Sequence, residues 1–436
     1  MKMILHALVL FGFVASLTAE DGFVPLFNGK DLTGWTNVNC ASNTWTATNG
    51  LIYCTGAPIG ELRTTRMYQN FILEAEWRHL KPKGNAGIFV WADALTAPGQ
   101  PFIRGIEVQI LDGRESDWYT SDGDIFPIHG AKMIPVNGRG GDRAYPTEKR
   151  SKPSPEWNHY RIECVDGAIS LAVNGKVVTQ GHSASPRKGY ICLESEGSPI
   201  EFRNLRIKEL PVKEAIAPEH IAKPDEGFQS LYTGIDLSGW QVTPEIQKRW
   251  QAKDWILEHD GKRSEGEEDP HLWSEEEYGD FILVADWRWV NKPTTNDFPI
   301  ILPDGTIARD ADGAIKKEKA PSAGDSGIYL RGNDKSQVNI WCYPIGSGEV
   351  YGYRDDKEVS AEVRAAVTPR VKADHPIGQW NRFIITMRGD RLTVVLNGKT
   401  VIENAQLPGV PAKGRIALQH HGAPIQFANI FVRKLD

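Results

Sequence analysis

GFVPLFNGKDLTGW at residues 22–35 returns as GFQSLYTGIDLSGW at 227–240, so the chain states the same opening motif twice, 205 residues apart. The repetition extends outward from that pair. FILEAEWR at 71–78 answers to FILVADWR at 281–288, and GNAGIFV at 84–90 to GDSGIYL at 324–330. EWNHYRIECVDGAISLAVNGK at 156–176 matches QWNRFIITMRGDRLTVVLNGK at 379–399, and KGYICLESEGSPIEFRNLRIKEL at 188–210 matches KGRIALQHHGAPIQFANIFVRKL at 413–435. Self-similarity over this length means two homologous domains, 20–210 and 227–436. Between them PVKEAIAPEHIAKPDE, 211–226, has the Pro and charge content of a linker. The second copy carries about thirty extra residues near 291–323, read as a long surface loop.

Within each copy the apolar residues alternate with polar ones, as in AISLAVNGKVV and RLTVVLNGKTVI, and Gly, Asn and Asp close the runs. That period of two marks half-buried strands. Asn174-Gly175 and Asn397-Gly398 are hairpin turns of the type that needs positive φ at both central positions. Many short strands in about 200 residues make an all-β sandwich, here two in tandem.

The 436 residues carry 50 Lys+Arg against 56 Asp+Glu, a net charge of −6 with no basic run, so binding to a phosphate backbone is not expected. The amino terminus, with Lys2, an apolar stretch from Ile4 to Leu17 and small residues to Ala19, reads as a signal peptide over 1–19 and predicts a secreted or periplasmic protein. The run is shorter than the roughly 20 residues of a membrane span, and no later segment is apolar enough to make one. Export permits disulfides, and spacing favours Cys40 with Cys54 and Cys164 with Cys192, leaving Cys342 over. No phosphate loop, triad spacing, HExxH or Cys-x-x-Cys is present.

The opening G-F-x-x-L-F-x-G-x-D-L-x-G-W, the G-N-x-G-I-F and G-I-E-V-Q-I-L-D segments, and the closing S-P-I-E-F-R-N-L together resemble the 3-keto-disaccharide hydrolase family, over both repeats. The resemblance implies a concanavalin A-like jelly-roll sandwich in each domain, exported, acting on 3-keto sugars. A jelly roll of this kind holds carbohydrate on its concave sheet, which directs attention to GIEVQILD at 105–112. Glu107 and Gln109 share a face there, whereas Asp112 is an odd step away and joins them only if a bulge or the strand end re-aims it. The spacing is similar to the E-x-D-x-x-E strand of family-16 glycoside hydrolases but keeps only its first acid, which weakens a two-carboxylate retaining mechanism.

Comparing the repeats separates scaffold from candidate chemistry. Glu107, Gln109 and Asp112 fall opposite Gln337, Asn339 and Cys342; Glu194 and Glu196 fall opposite Gln419 and His421; Arg63 falls opposite Trp273. For a 3-keto glycoside the ketone acidifies the C2 proton, so a base can form an enolate that expels the C1 substituent before water adds back. The expected catalytic residues are Glu107 and His129 with Asp112, and the expected substrate contacts are Arg63, Gln109, Glu194 and Glu196, with His420, His421 and Trp341 in the second domain. Tryptophans repeated in both copies (Trp35/Trp240, Trp45/Trp250, Trp77/Trp287, Trp157/Trp380) are expected in the cores, while unpaired ones such as Trp91 and Trp118 are candidates for stacking on sugar. Asp122, Asp124, Arg139 and Arg143 border the same face in this reading. A divalent metal ion is a candidate cofactor, although D-G-D at 122–124 supplies fewer aligned oxygens than a calcium loop needs. The rival readings are a family-16-like hydrolase and a tandem carbohydrate-binding protein without catalysis, in which two weak sites gain avidity.

Overall fold

The computed structural model describes residues 22–113, 119–120, 122–262 and 271–435. The expected signal peptide and Trp118 lie outside the described residues. Each repeat folds as a two-sheet antiparallel sandwich of the concanavalin A-like jelly-roll kind. In the first, a nine-stranded sheet is built around Phe71–His79, flanked by Asn158–Val165 and Ile200–Glu209, and faces a six-stranded sheet. That second sheet runs Trp35–Asn37, Gly60–Thr64, Tyr190–Ser195, Asn85–Ala92, Gly105–Leu111, Asp122–Ile128. Leu62, Ile88, Val108 and Leu193 turn inward to meet Leu73, Tyr160, Ile162 and Phe202 in one core. Their neighbours along each strand, Glu61, Gly87, Glu107, Gln109 and Glu194, occupy the opposite, concave face by the alternation of the pleat.

The second repeat has an eight-stranded sheet centred on Phe281–Trp289 and a four-stranded one, ordered Leu272–Tyr278, Gly414–Leu418, Asp325–Leu330, Asn333–Trp341. The extra segment is more ordered than the expected loop: Thr294–Pro299 pairs with Lys317–Ser322 as a two-stranded hairpin. Asn174-Gly175 and Asn397-Gly398 all have positive φ, as the hairpin reading requires. No helix of the described residues is long and apolar enough to cross a membrane.

The cysteines are free thiols, contrary to the expected pairing. Cys164 packs in the inter-sheet core and Cys192 on the concave side of the other sheet, so the six-stranded sheet separates them. Cys40 and Cys54 are both buried, and burial raises both thiols, Cys54 to about 11. Six of the eight repeated tryptophans are core, but Trp157 and Trp380, each just before a strand, are half-buried instead, with Arg203 at 3.9 Å over Trp157 and Arg288 at 4.6 Å over Trp380. Of the unpaired ones, Trp91 is fully buried, donates to the Gln69 carbonyl at 2.8 Å and meets Phe71 edge-on, so it is a core residue and not a sugar platform.

The two sandwiches touch directly. Phe89, Tyr190 and Cys192 on the first concave sheet share an apolar cluster with Val284 and Phe431 from the outer face of the second domain's large sheet. Residues 211–226 are strapped down as well, with Asp225 paired to Arg63 at 2.7 Å and accepted by the Tyr190 hydroxyl, to which its backbone N–H donates at 2.8 Å.

Candidate functional site

On the first concave sheet the cross-strand register places Glu61 beside Glu194 and Gly87 beside Gln109, with Glu107 beside Phe89. Glu194 follows Gly87 in the same row. Gly87 is the pivot. A methyl group at that position would lie 3.0 Å from Glu194 Oε2 and 3.1 Å from Glu107 Oε1, so both carboxyls crowd over a residue with no side chain. Its backbone is ordinary extended strand, so glycine is needed here for room and not for its φ.

Glu61, Glu107 and Glu194 are all buried, and each carboxyl is raised. For Glu107 the chief cause is burial, followed by the neighbouring Glu196 charge, with Arg143 pulling the other way. For Glu194 it is burial and then Glu107, Glu196 and Glu61. Glu61, under the loop whose Ile103 N–H donates to Oε1 at 3.0 Å, is pushed up to about 8. Like charges this close in a low-dielectric pocket cannot all ionise, so the cluster holds protons at neutral pH. Arg143 pulls Glu107 back toward its ionised form, whereas Glu194 sits among acids and is hydrogen-bonded to Glu196, which hold it toward the protonated form.

An amide relay frames the pair. Gln109 Nε2 donates to Asn85 Oδ1 at 2.9 Å, and Asn85 Nδ2 donates to Glu196. Arg143 is itself held by Asp124 at 2.9 Å and lies 3.4 Å over the Phe126 ring, which fixes the cation near Glu107. Asp124 also accepts from Thr120, and Asp122 from Ser151, so these two acids are engaged by the protein. Burial raises Asp122 to about 7. Among the described residues no group of three His, Cys, Asp or Glu converges as metal ligands.

Several expected site residues lie elsewhere. Asp112 sits just past the strand, whose register is unbroken against Asn85–Ala92; the one shift is on the other edge, where the extra residue belongs to Asp122–Ile128, and the Asp112 charge acts on Asp122. Arg63 is on the concave side but buried, sandwiched between Asp225 and the Tyr190 ring at 4.1 Å, which makes it an anchor for the interdomain segment. His129 stacks on Phe102 and lines a cavity of about 270 Å³ between the domains with Asp93, Arg104, Val284 and Arg382. Glu61, Asn85 and the part played by Gly87 were not singled out from sequence. Glu61 falls opposite His271 in the second repeat, so the test that picked Arg63 two residues on would have found it.

In the second domain the same positions carry amides and rings. Gln419, Gly327 and Asn339 form one row, and Trp273, Tyr329 and Gln337 the next. His421 lies near Asp325 at 3.9 Å, but His420 points the other way, into the core, its ring 4.1 Å from that of His259. These two residues lie past the strand end at Leu418, and HHG offers only one histidine to the concave face. Trp341 is mostly buried, stacked on Tyr343 at 4.0 Å and borders a pocket of about 480 Å³ with Trp287 and Trp289.

Comparison with known proteins finds one family in both repeats. The 3-keto-alpha-glucoside-1,2-lyase-like domain matches residues 22–208 and again 227–433. A 3-keto-disaccharide hydrolase from Bacteroides thetaiotaomicron is 24% identical over 234 residues, 44% of this chain and 79% of that protein. Among solved structures, a protein described as a glycosyl hydrolase from Parabacteroides distasonis is 24% identical, covering 44% of this chain and 94% of its own with a TM-score of 0.35. The carbohydrate-binding module CBM66 from Bacillus subtilis is 14% identical, covering 42% and 97% with a TM-score of 0.31.

Proposed function

The chain belongs to the 3-keto-alpha-glucoside-1,2-lyase-like family, and from that premise we propose that its first domain cleaves the glycosidic bond of 3-keto-glycosides by elimination and hydration. The observation that carries this reading is the Glu107–Glu194 carboxyl pair over Gly87. Glu107, the acid next to Arg143, is the base that takes the C2 proton made acidic by the C3 ketone. The electron pair forms the enolate, and its collapse breaks the C1–O bond. Glu194, held protonated by burial and its acidic neighbours, donates to the leaving oxygen. Water then adds to the unsaturated sugar, its proton returning to C2 and its hydroxyl to C1. Arg143 is the cation within reach of a developing enolate oxygen, and the Gln109–Asn85–Glu196 relay fixes the acids around it.

Two carboxyls on one sheet face, one beside Arg143 and the other among acids, suit general acid–base chemistry better than the retaining mechanism, whose second acid position is Gln109 here. The same reading places the protein outside the cytoplasm, on the strength of the Lys2–Ala19 segment. Purified protein is expected to release free sugar from a 3-keto disaccharide and none from its unoxidised parent. Glu107→Gln and Glu194→Gln should each lower turnover by about 10²–10⁴-fold with the thermal melt retained. Wild-type turnover in a folded Glu107→Gln protein would remove the carboxyl pair from the chemistry.

A further inference from the structure

The second domain's concave sheet holds polar groups that nothing in the fold satisfies. Asn339 is 3% exposed and Gln419 7%, yet Asn339 Oδ1 and Gln419 Oε1 have no hydrogen-bond partner among the described residues, nor does Nε2 of Gln337. All three gather around Gly327. Asn339 is its cross-strand partner, the Gln419 N–H donates to its carbonyl at 2.9 Å, and a methyl group there would lie 2.5 Å from Gln337 Nε2. A buried amide left unpaired keeps the full cost of its desolvation, so three together on one face indicate a missing partner.

That partner must accept one hydrogen bond and donate two, which is what the hydroxyls of a sugar do. Beside the amides Trp273 stacks on Tyr329, centroids 5.8 Å apart and planes 16° apart, and Gln419 Nε2 donates to the Tyr329 hydroxyl at 2.9 Å. Trp273 and Gln337 remain partly exposed, so the row opens to solvent at that edge. The acids nearby have neighbours of their own: Asp325 lies 3.9 Å from His421, and buried Glu349 pairs with Arg354 at 2.7 Å. The acids that dominate the first domain's face are replaced, Glu107 by Gln337 and Glu194 by Gln419, which removes both the acid–base pair and the penalty for a neutral, uncharged ring.

We propose that the second domain's concave face is a non-catalytic binding site for a neutral pyranose glycan, read by Gln337, Asn339 and Gln419 and stacked by Trp273. It deepens the carbohydrate reading of the chain but does not depend on elimination chemistry, because its ligand is an unoxidised sugar. The test is affinity electrophoresis of the intact chain through gels containing neutral polysaccharides (starch, a mixed-linkage β-glucan, galactomannan, xylan) or anionic ones (alginate, polygalacturonate). At least one neutral polysaccharide should slow migration, and Trp273→Ala and Asn339→Leu should each weaken that retardation about tenfold or more. Trp273 is the safer variant for folding, being partly exposed, and circular dichroism checks both. No retardation by any neutral polysaccharide, retardation by the anionic ones alone, or retardation that survives both folded variants would overturn the proposal. Turnover of a keto sugar is read as product and gel retardation as mobility, so either reading can fail without the other.

Discussion

Glu61 shows how much protonation is built into this fold. Its carboxyl is fully buried and held up at about 8, against an ordinary value near 4.5. Between those two values the folded state binds a proton that the unfolded chain has released, so stability falls as pH rises through the window. The slope is about 1.4 kcal/mol per pH unit for each such proton. Glu107, Glu194 and Asp122, also raised, act in the same direction. His259, lowered to about 4 chiefly by burial, acts oppositely: it is held neutral, so its contribution is lost as pH falls from about 6.5 to 4. Urea midpoints from pH 5 to 8 should therefore decline, and Glu61→Gln, which mimics the protonated acid, should flatten the decline by about one proton. An unchanged slope in that variant would mean that Glu61 is ionised in the fold.

At the level of the strand, Gly87 makes the acid pair geometrically possible. Gly87→Ala puts a methyl 3.0–3.1 Å from both carboxyls on a backbone that tolerates alanine, so the sheet should survive while the acids are pushed apart. A displacement of this kind costs on the order of 10²-fold in rate; kinetics on the keto substrate beside a thermal melt will show whether turnover falls with the fold intact. Period two and the repeat made much of this legible. FILEAEWR and GIEVQILD give the strands, and charge differences between copies point to Glu107, Glu194 and Glu196. What a single repeat cannot reveal is where its neighbour packs. Arg63 and His129 have the chemistry of site residues but are taken by the linker and the interdomain cavity. Trp91 differs between repeats for reasons of packing, which a comparison of residue types does not distinguish from function.

Across the whole molecule, one repeated device is used in two ways. Asn204 and Asn429 both adopt positive φ at matching bulges beside the central strand, next to Glu76 and Asp286. In the first domain Glu76 meets Arg203 and Asn204 at the surface. In the second, Asp286 is fully buried beneath the first domain's loop, accepting from Arg382 at 2.6 and 2.8 Å, from Asn429 at 2.7 Å and from the Gly99 backbone at 2.7 Å. Arg382 and Asn429 reach on to the carbonyls of Thr96, Ala97 and Gln100, so one carboxylate organises the contact between sandwiches. The 93–103 loop that docks there also carries Ile103, which donates to Glu61, so the interdomain contact bears on the roof of the acid cluster. Removing the acid leaves Arg382, partly buried, without its carboxylate, at a cost of up to about 3 kcal/mol. Asp286→Ala should therefore split thermal unfolding into two transitions and speed proteolysis within 211–226. It should also lower keto-sugar turnover, although Asp286 touches no part of the proposed site. A variant that still melts in one transition at the wild-type temperature would show that the apolar patch of Phe89, Val284 and Phe431 suffices to hold the domains together.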